Sequence, residues 1–395
     1  MRHQTCMLAC ATAALLVGCV PRITEPPANA RVDAPAQWRT SFPPAAASEN
    51  FQRLWWDAFG DPRLTELVEQ AQRHNPDIHI AMARVAESRA QERVARALLQ
   101  PSLDLSVPAA RSRSLNAIGQ PALAASTEPV FQASYEVDLF GRNAARVEAA
   151  QANTAAAEAS HRASQLAVAS ATASAFITLQ ALDRRLALLR STLATREDEI
   201  RIARRQEQVG HASQLEVRQA EAEFHATAQQ IPIAEKAIVQ QENALSVLVG
   251  TPPSDIARSQ HFDALRPPPV PQSLPSALAE NRPDIALAAH NLAASDANLR
   301  VAQRQFLPQI QLSASLGAIA STALHSPVRI WSLGGSVLAP LFSGGQLEGQ
   351  FDAATAQRDQ AAFAYQRAVL TGFREVEDQL VGLDRLQRQA TELAQ

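Results

Sequence analysis

Phe131-Gln132-Ala133-Ser134-Tyr135-Glu136-Val137-Asp138-Leu139-Phe140-Gly141 reads as a β-strand that stops at a glycine. Its odd positions, Phe131 to Leu139, are apolar, and the even positions Gln132, Ser134, Glu136 and Asp138 are polar. Strict alternation puts one kind of side chain on each face. Beyond Gly141 the chain changes character. From Arg142 to Val209 no Gly or Pro interrupts 68 residues, which as one helix would extend about 100 Å at 1.5 Å per residue. No small globule has a use for such a helix, so the strand and the helix must serve something larger.

Other segments repeat the pattern. Leu103, Leu105 and Val107 alternate with Asp104 and Ser106, and Ile310, Leu312, Ala314 and Leu316 alternate with Gln311, Ser313 and Ser315. With a weaker stretch near Trp331, four strands are expected over Pro101–Leu115, Pro129–Phe140, Pro308–Ala320 and Trp331–Phe342, each about the length a tilted transmembrane strand needs. The long helix carries Leu179, Leu182, Leu186, Leu189 and Leu193 at steps of three and four, with Ile200 in phase. Beyond Gly210, Val217, Phe224, Ile231, Ile238 and Leu245 recur every seventh residue. Two such seams predict a helical hairpin, with Pro232 bending its return arm. Asp61-Pro62 predicts an N-cap and first turn, with Leu64, Leu67 and Val68 on the buried face, and a second helix is expected from Pro76 to about Leu99.

The chain is also duplicated. Pro76 to Ser106 aligns without gaps onto Pro283 to Ser313 at an offset of 207, with 13 identities in 31 positions. Leu139-Phe140-Gly141 has a counterpart in Leu341-Phe342-Ser343-Gly344. The unit is far longer than a solenoid repeat. The expected division is residues 1–18 as signal peptide, 19–54 as tether, 55–250 as first repeat, 251–275 as Pro-rich linker and 276–395 as second repeat. Gly344-Gly345 is expected to launch a further long helix. A second helix reversal would fall about 17 residues beyond Gln395, so the second repeat is expected to lack its return helix.

At the N-terminus, Met7 to Val17 is apolar but too short to span a bilayer. Leu16-Val17-Gly18-Cys19 matches the lipobox of bacterial lipoproteins, in which the Cys is lipidated and becomes the first mature residue. Val20, rather than Asp, comes after it, which favours the outer membrane. Cys6 and Cys10 lie in the signal, so no disulfide is expected in the mature chain. With 46% hydrophobic residues but 5% aromatic, and much of the apolar share Ala, the composition favours closely packed helices. A net charge of −3 offers no basic stripe for nucleic acid. The nine His are scattered, with no metal-ligand spacing, nucleophile elbow or phosphate loop, so neither enzyme, metal nor cofactor is expected.

Only helices or closed barrels cross a bilayer. No segment after Cys19 has 18 consecutive apolar residues, so no spanning helix is expected. Four strands cannot close a barrel, but three chains supply twelve. The expected architecture is mainly α with transmembrane β: a trimeric 12-stranded barrel continued by an α-barrel in the periplasm, forming a conduit.

The sequence resembles the TolC-like outer-membrane efflux factors, in particular the lipoprotein branch that works with resistance-nodulation-division pumps. The resemblance spans nearly the whole mature chain. It rests on Cys19, on Trp56…Phe59…Asp61-Pro62, Asn75-Pro76-Asp77 and the run from Ser134 to Arg142. It continues with Asn243-Ala244-Leu245…Leu248-Val249-Gly250, Asn281-Arg282-Pro283-Asp284-Ile285, Phe306-Leu307-Pro308 and Pro340-Leu341-Phe342-Ser343-Gly344-Gly345. It implies a homotrimeric, lipid-anchored outer-membrane exit duct with a periplasmic extension, docked to a periplasmic adaptor (membrane fusion protein) and an inner-membrane pump. It also implies that Val209, Gly210, Ala212 and Ser213 form an adaptor-docking hairpin tip, and that Asp138, Gly141, Arg142, Gly344 and Gly345 act as strand-to-helix hinges. A truncated, non-conducting relative is the alternative within the family. A periplasmic adaptor-like lipoprotein is the alternative outside it, and would carry one hairpin and a compact β-domain without the duplication.

Overall fold

The computed structural model describes residues 20–39, 55–115, 118–258, 262, 265, 281–322 and 324–393. Cys6, Cys10, Cys19 and most of the Pro-rich linker lie outside the described residues. After a 3₁₀ turn at Trp55–Phe59 come α1 (Pro62–His74) and α2 (Pro76–Ala97). Four strands come next: β1 (Ser102–Ser106), β2 (Ala109–Leu115), β3 (Pro121–Thr127) and β4 (Val130–Val137). Then come α3 (Arg142–Gln208), α4 (Gln214–Ala228) and α5 (Gln230–Leu248). The remainder is α6 (Pro283–Arg304), β5 (Gln309–Ser321), β6 (Val328–Leu338) and α7 (Gln346–Leu393). The duplication is visible in the bounds. α2 and α6 each span 22 residues, and β1 and β5 both start five residues beyond them.

Two compact units divide the chain along a different line from the repeats. The first comprises Met1–Pro35, Arg84–Ala159 and Leu278–Gln395, and the second Ala36–Ala83 and Ser160–Ala277.

The first unit holds the sheet. β1 pairs with β4, β4 with β5, and β5 with β6, all antiparallel. β2 and β3 continue β1 and β4 in unbroken register: Ser106 lies opposite Val130, and Ala109 opposite Thr127. The interruptions fall at Pro108 and Pro129, which have no N–H to give to the ladder. The sheet is thus a ribbon of four long antiparallel strands. Its second strand starts at Pro121, whereas the alternation places the start at Pro129, because Pro121–Thr127 is mostly Ala and has almost no polar–apolar contrast. It ends at Val137 rather than Phe140 because Asp138 turns away to cap a helix. β6 likewise runs Val328–Leu338, three residues earlier at its start and four earlier at its end than Trp331–Phe342, since Pro340 cannot extend the ladder.

Over the rows from Ser102 to Leu105 the register sorts the side chains by polarity across all four strands. Leu105, Phe131, Leu316 and Trp331 form one row, and Leu103, Ala133, Ala314 and Leu333 the next. On the other face Ser102, Ser134 and Ser313 align, as do Asp104, Gln132, Ser315 and Ser332. The apolar face is bare in the single chain: Leu103, Trp331 and Leu333 are each 70% or more exposed.

Beside the sheet, α6 packs on α7. Arg282 at the N-cap of α6 bonds Asp284 and reaches Glu375 at 2.6 Å on α7. The hydrogen bond from Arg282 holds the Asp284 carboxyl below the ordinary aspartate range. The N-terminal stretch, extended as its prolines dictate, is held against these helices. Gln303 donates to the Pro21 carbonyl, the buried Arg358 to that of Thr24, and Gln366 to that of Asn29.

The second unit is a helical bundle. Asp61 caps α1 by accepting from Arg63 and Leu64 N–H, and Leu64, Leu67 and Val68 are fully buried. The seam residues Leu179, Leu186, Ile200, Val217, Ile238 and Leu245 are buried too. α4 and α5 meet at Gln229, and Pro232 in the first turn of α5 leaves the Ala228 carbonyl without its i+4 donor. One 18-residue window of α3 reaches a mean hydropathy of 1.3, so by length and composition α3 could cross a bilayer, where none was expected. Counting consecutive apolar residues misses it because Ser and Thr break up the run. Phe176 and Leu179 are wholly buried against the other helices of their unit, which accounts for the apolar content.

Candidate functional site: strand-to-helix junctions and hairpin tip

At the first junction a strand must become a helix within four residues. Asp138 leaves β4 and directs its carboxylate at the helix start, accepting from Asn143 N–H at 3.0 Å and Ala144 N–H at 2.7 Å. These are two of the donors that a helix N-terminus leaves unpaired. The N-cap position itself is Gly141, which has no side chain to do this and sits at φ +75°. Asp138 therefore caps α3 from three residues further back, while Gly141 supplies the left-handed backbone. Arg142 returns to the strand, donating to both Glu136 oxygens at 2.7 and 2.8 Å. Arg304, the last residue of α6, donates to the Gly141 carbonyl. Together with Pro308 and Gln309, these side chains line a small crevice. Burial, followed by the neighbouring Arg142 charge, lowers the pKa of Arg146 one turn on.

Replacing Asp138 by Ala is expected to cost about 1–2 kcal/mol, as for the loss of a good N-cap. Asp138→Asn, which keeps one acceptor oxygen for the two N–H groups, should lose only about half as much, as thermal melts of the folded protein would report. Equal losses in both variants would contradict a capping role.

The second junction achieves the same reversal with backbone freedom. Gly344 and Gly345 sit at φ +61° and +85°, and the Ser343 hydroxyl accepts from Leu347 N–H at 3.4 Å. Each junction exposes an apolar pair: Leu139 and Phe140 at the first, Leu341 and Phe342 at the second, with Phe342 92% exposed.

The hairpin tip joins α3 to α4 in five residues. His211 N–H bonds the Gln206 carbonyl at 2.8 Å and Gly210 N–H that of Glu207 at 3.0 Å, with Gly210 at φ +76°. This is a Schellman ending. Ser213 then opens α4 through a capping box with Glu216. The two motifs back to back fix the turn from within and leave its apolar groups outward: Val209 is 62% exposed and Leu215 is 65% exposed, and Ser213 is exposed as well. Behind them Glu221 accepts from Arg204 and from Arg218, both at 2.9 Å, clamping the two arms. The hydrogen bonds from Arg204 and then Arg218 lower the Glu221 pKa.

The structure thus brings Asp138, Gly141 and Arg142 together, Gly344 with Gly345, and Val209 with Gly210, Ala212 and Ser213. Sequence reasoning misses Glu136 and Arg304 as parts of the first junction. A signal for Arg304 existed, because the 207-residue offset pairs it with Ala97 and so marks a difference between the repeats.

The chain aligns with known proteins along most of its length. The family model described as outer membrane efflux protein matches residues 67–251 and 274–395. The pyoverdine export outer membrane protein OpmQ of Pseudomonas aeruginosa is 31% identical over 394 residues, covering 97% of this chain and 82% of that protein. The probable efflux pump outer membrane protein TtgC of Pseudomonas putida is 31% identical over 382 residues, covering 93% and 78%. A membrane protein of Pseudomonas aeruginosa of known structure superposes with a TM-score of 0.81 at 29% identity, covering 95% of this chain and 86% of that one. The outer membrane protein VceC of Vibrio cholerae superposes with a TM-score of 0.77 at 27% identity, covering 86% and 83%. A strand ribbon that turns into long helices, together with relatives aligned over nearly the whole chain, shows that this protein belongs to the outer membrane efflux protein family and is an efflux channel component of the outer membrane with a helical periplasmic extension.

Proposed function

We propose that three copies of the chain close a 12-stranded barrel and form the passive exit duct of a tripartite efflux system. The observation that carries this reading is the four-stranded ribbon with bare apolar rows on one face and two edges, at β1–β2 and at β6, that pair with no other described strand. Backbone groups along such edges have no partner in hydrocarbon, so other chains must supply one. Two copies would give eight strands, a barrel whose interior side chains fill it. Twelve leave a lumen, and the row of Ser, Gln and Asp side chains suits a water-filled one.

In the same reading, the exposed Val209 and the Gly210 turn dock into a periplasmic adaptor, which links the duct to an inner-membrane resistance-nodulation-division pump. Cys19 carries the lipid. Support comes from Pro21, only two residues later, whose carbonyl is bound by Gln303 at the sheet end of α6. A lipid on Cys19 would then start close to the inner leaflet. The Asp138–Gly141–Arg142 and Gly344–Gly345 turns serve as hinges between strand and helix, and residues 55–250 and 276–395 act as two arms of the wall, the second of them without a return helix among the described residues.

The deciding assay is complementation of an efflux-deficient host. The wild-type chain should restore resistance as a heat-modifiable trimer with a lipidated mature N-terminus by mass spectrometry. Val209→Asp should form the same trimer yet lose most resistance. A monomer in outer-membrane fractions would refute closure by three chains, an unmodified Cys19 would refute the anchor, and full resistance with Val209→Asp would refute docking through the tip.

A further inference from the structure

The outward face of the ribbon is not apolar throughout. Because the register runs unbroken past Pro108 and Pro129, the face that carries Phe131 and Tyr135 can be traced through β2 and β3 to the top of the sheet. There Arg111 lies opposite Ala125 and Arg113 opposite Leu123, both on this face. On β6, Arg329 lies opposite Ala318, one step above Trp331 on the same face. These are the only charged side chains at outward positions among the described strand residues, and all three are arginines. The acids of β1 and β4, Asp104 and Glu136, are on the inward face. All three arginines are exposed, and none has an ion-pair partner among the described residues.

Height separates them from the apolar rows. Counting from the Val137 row at about 3.4 Å per residue, with strands tilted about 40°, Arg329 stands about 21 Å up and Arg111 and Arg113 about 31 and 37 Å up. The apolar band of an outer-membrane barrel is about 25 Å tall. Arg329 sits inside its upper edge, where a long side chain can reach the headgroups while Trp331 marks the interface. Arg111 and Arg113 stand beyond it. The proline breaks carry the hairpin upward to that level without turning its face.

We propose that Arg111, Arg113 and Arg329 form a cationic collar that binds the phosphates of the outer-leaflet glycolipid. Guanidinium forks match phosphate geometry in two-point hydrogen bonds, and no carboxylate on this face competes for them. The collar rests on the barrel reading, since only a barrel sets this face against lipid.

The test uses the full chain folded into phosphatidylcholine vesicles containing lipid A, or lipid A stripped of both phosphates, and measures the lipid A that co-isolates with the protein by mass spectrometry. Each arginine is expected to contribute about a fivefold preference near an anionic surface. The wild type should therefore favour phosphorylated lipid A, and R111Q/R113Q/R329Q should lose at least tenfold of that preference while still giving a heat-modifiable trimer. If the triple variant folds poorly, Arg329→Gln alone should lose a few-fold. Moving the charges inward, as S112R/S114R in an R111Q/R113Q background, should not restore the preference. Equal retention by wild type and variant in folded trimers would overturn the collar. So would millimolar inorganic phosphate abolishing the preference, since that would mark a free-anion site. A wild-type chain that forms no trimer would instead overturn the barrel reading, and the collar with it.

Discussion

Leu316→Arg is expected to cost about 2–4 kcal/mol of folding free energy in a bilayer, whereas Ser315→Arg, its neighbour, should cost little. Leu316 lies in an inner strand between Phe131 and Trp331, 62% exposed in the single chain. At about 15 Å above the Val137 row it falls near the middle of the apolar band, where a guanidinium is furthest from both headgroup layers. Ser315 faces the other way, between Gln132 and Ser332, whose hydroxyl it meets at 2.8 Å. An arginine there enters a polar row open to water. Denaturant titration of refolding into vesicles, comparing both variants with the wild type, measures the difference directly. Equal costs would mean that the two faces do not see different solvents, and the membrane assignment of this sheet would fall with them.

Gly250→Val is expected to destabilise the second unit by about 3 kcal/mol or more. Two effects add. Gly250 sits at φ +75°, where an L side chain costs about 1–2 kcal/mol. A Cβ there would also collide with the His74 carbonyl at the end of α1, and overpacking of this kind costs about 1–3 kcal/mol. Gly210 provides the internal control, because its φ is +76° but a Cβ would meet nothing within 4 Å. Gly210→Val should therefore show the backbone cost alone. The comparison is read as the shift in urea midpoint at unchanged m-value. If both variants shift the midpoint equally, the close approach of Gly250 to His74 has no energetic weight.

The Gly250 contact also explains why the adjoining segment carries recognisable sequence. Asn75 caps α2 through Asp77 and Ile78 N–H, and its amide donates to the Leu248 carbonyl at 2.9 Å. Asn75-Pro76-Asp77 and Leu248-Val249-Gly250 are thus two sides of one joint. Each looks like an isolated helix-end signal when read along the chain.

Much of the architecture is legible in local patterns. The polar–apolar alternation of Phe131 to Leu139, the leucine seam from Leu179 to Leu193, the Asp61-Pro62 start and the Gly210 reversal depend on residues within a few positions of one another. Each encodes its element through backbone propensity and solvent preference alone. The weak spots are also local. Pro121–Thr127 is too rich in Ala for alternation to show, and the end of β4 depends on Asp138 choosing a helix over the ladder. What the linear pattern could not determine is which distant groups complete each other. Arg304 reaches the Gly141 carbonyl across 163 residues, and Arg358 holds the Thr24 carbonyl across 334. A lone arginine in a helical segment carries no mark of such a partner, because the contact arises from how distant segments of the chain fold together. The same holds for the collar of Arg111, Arg113 and Arg329. Periodicity puts each on a face of its own strand, but only the pairing of β2 with β3, of β3 with β5 and of β5 with β6 brings these four strands into one register and so puts the arginines on one surface.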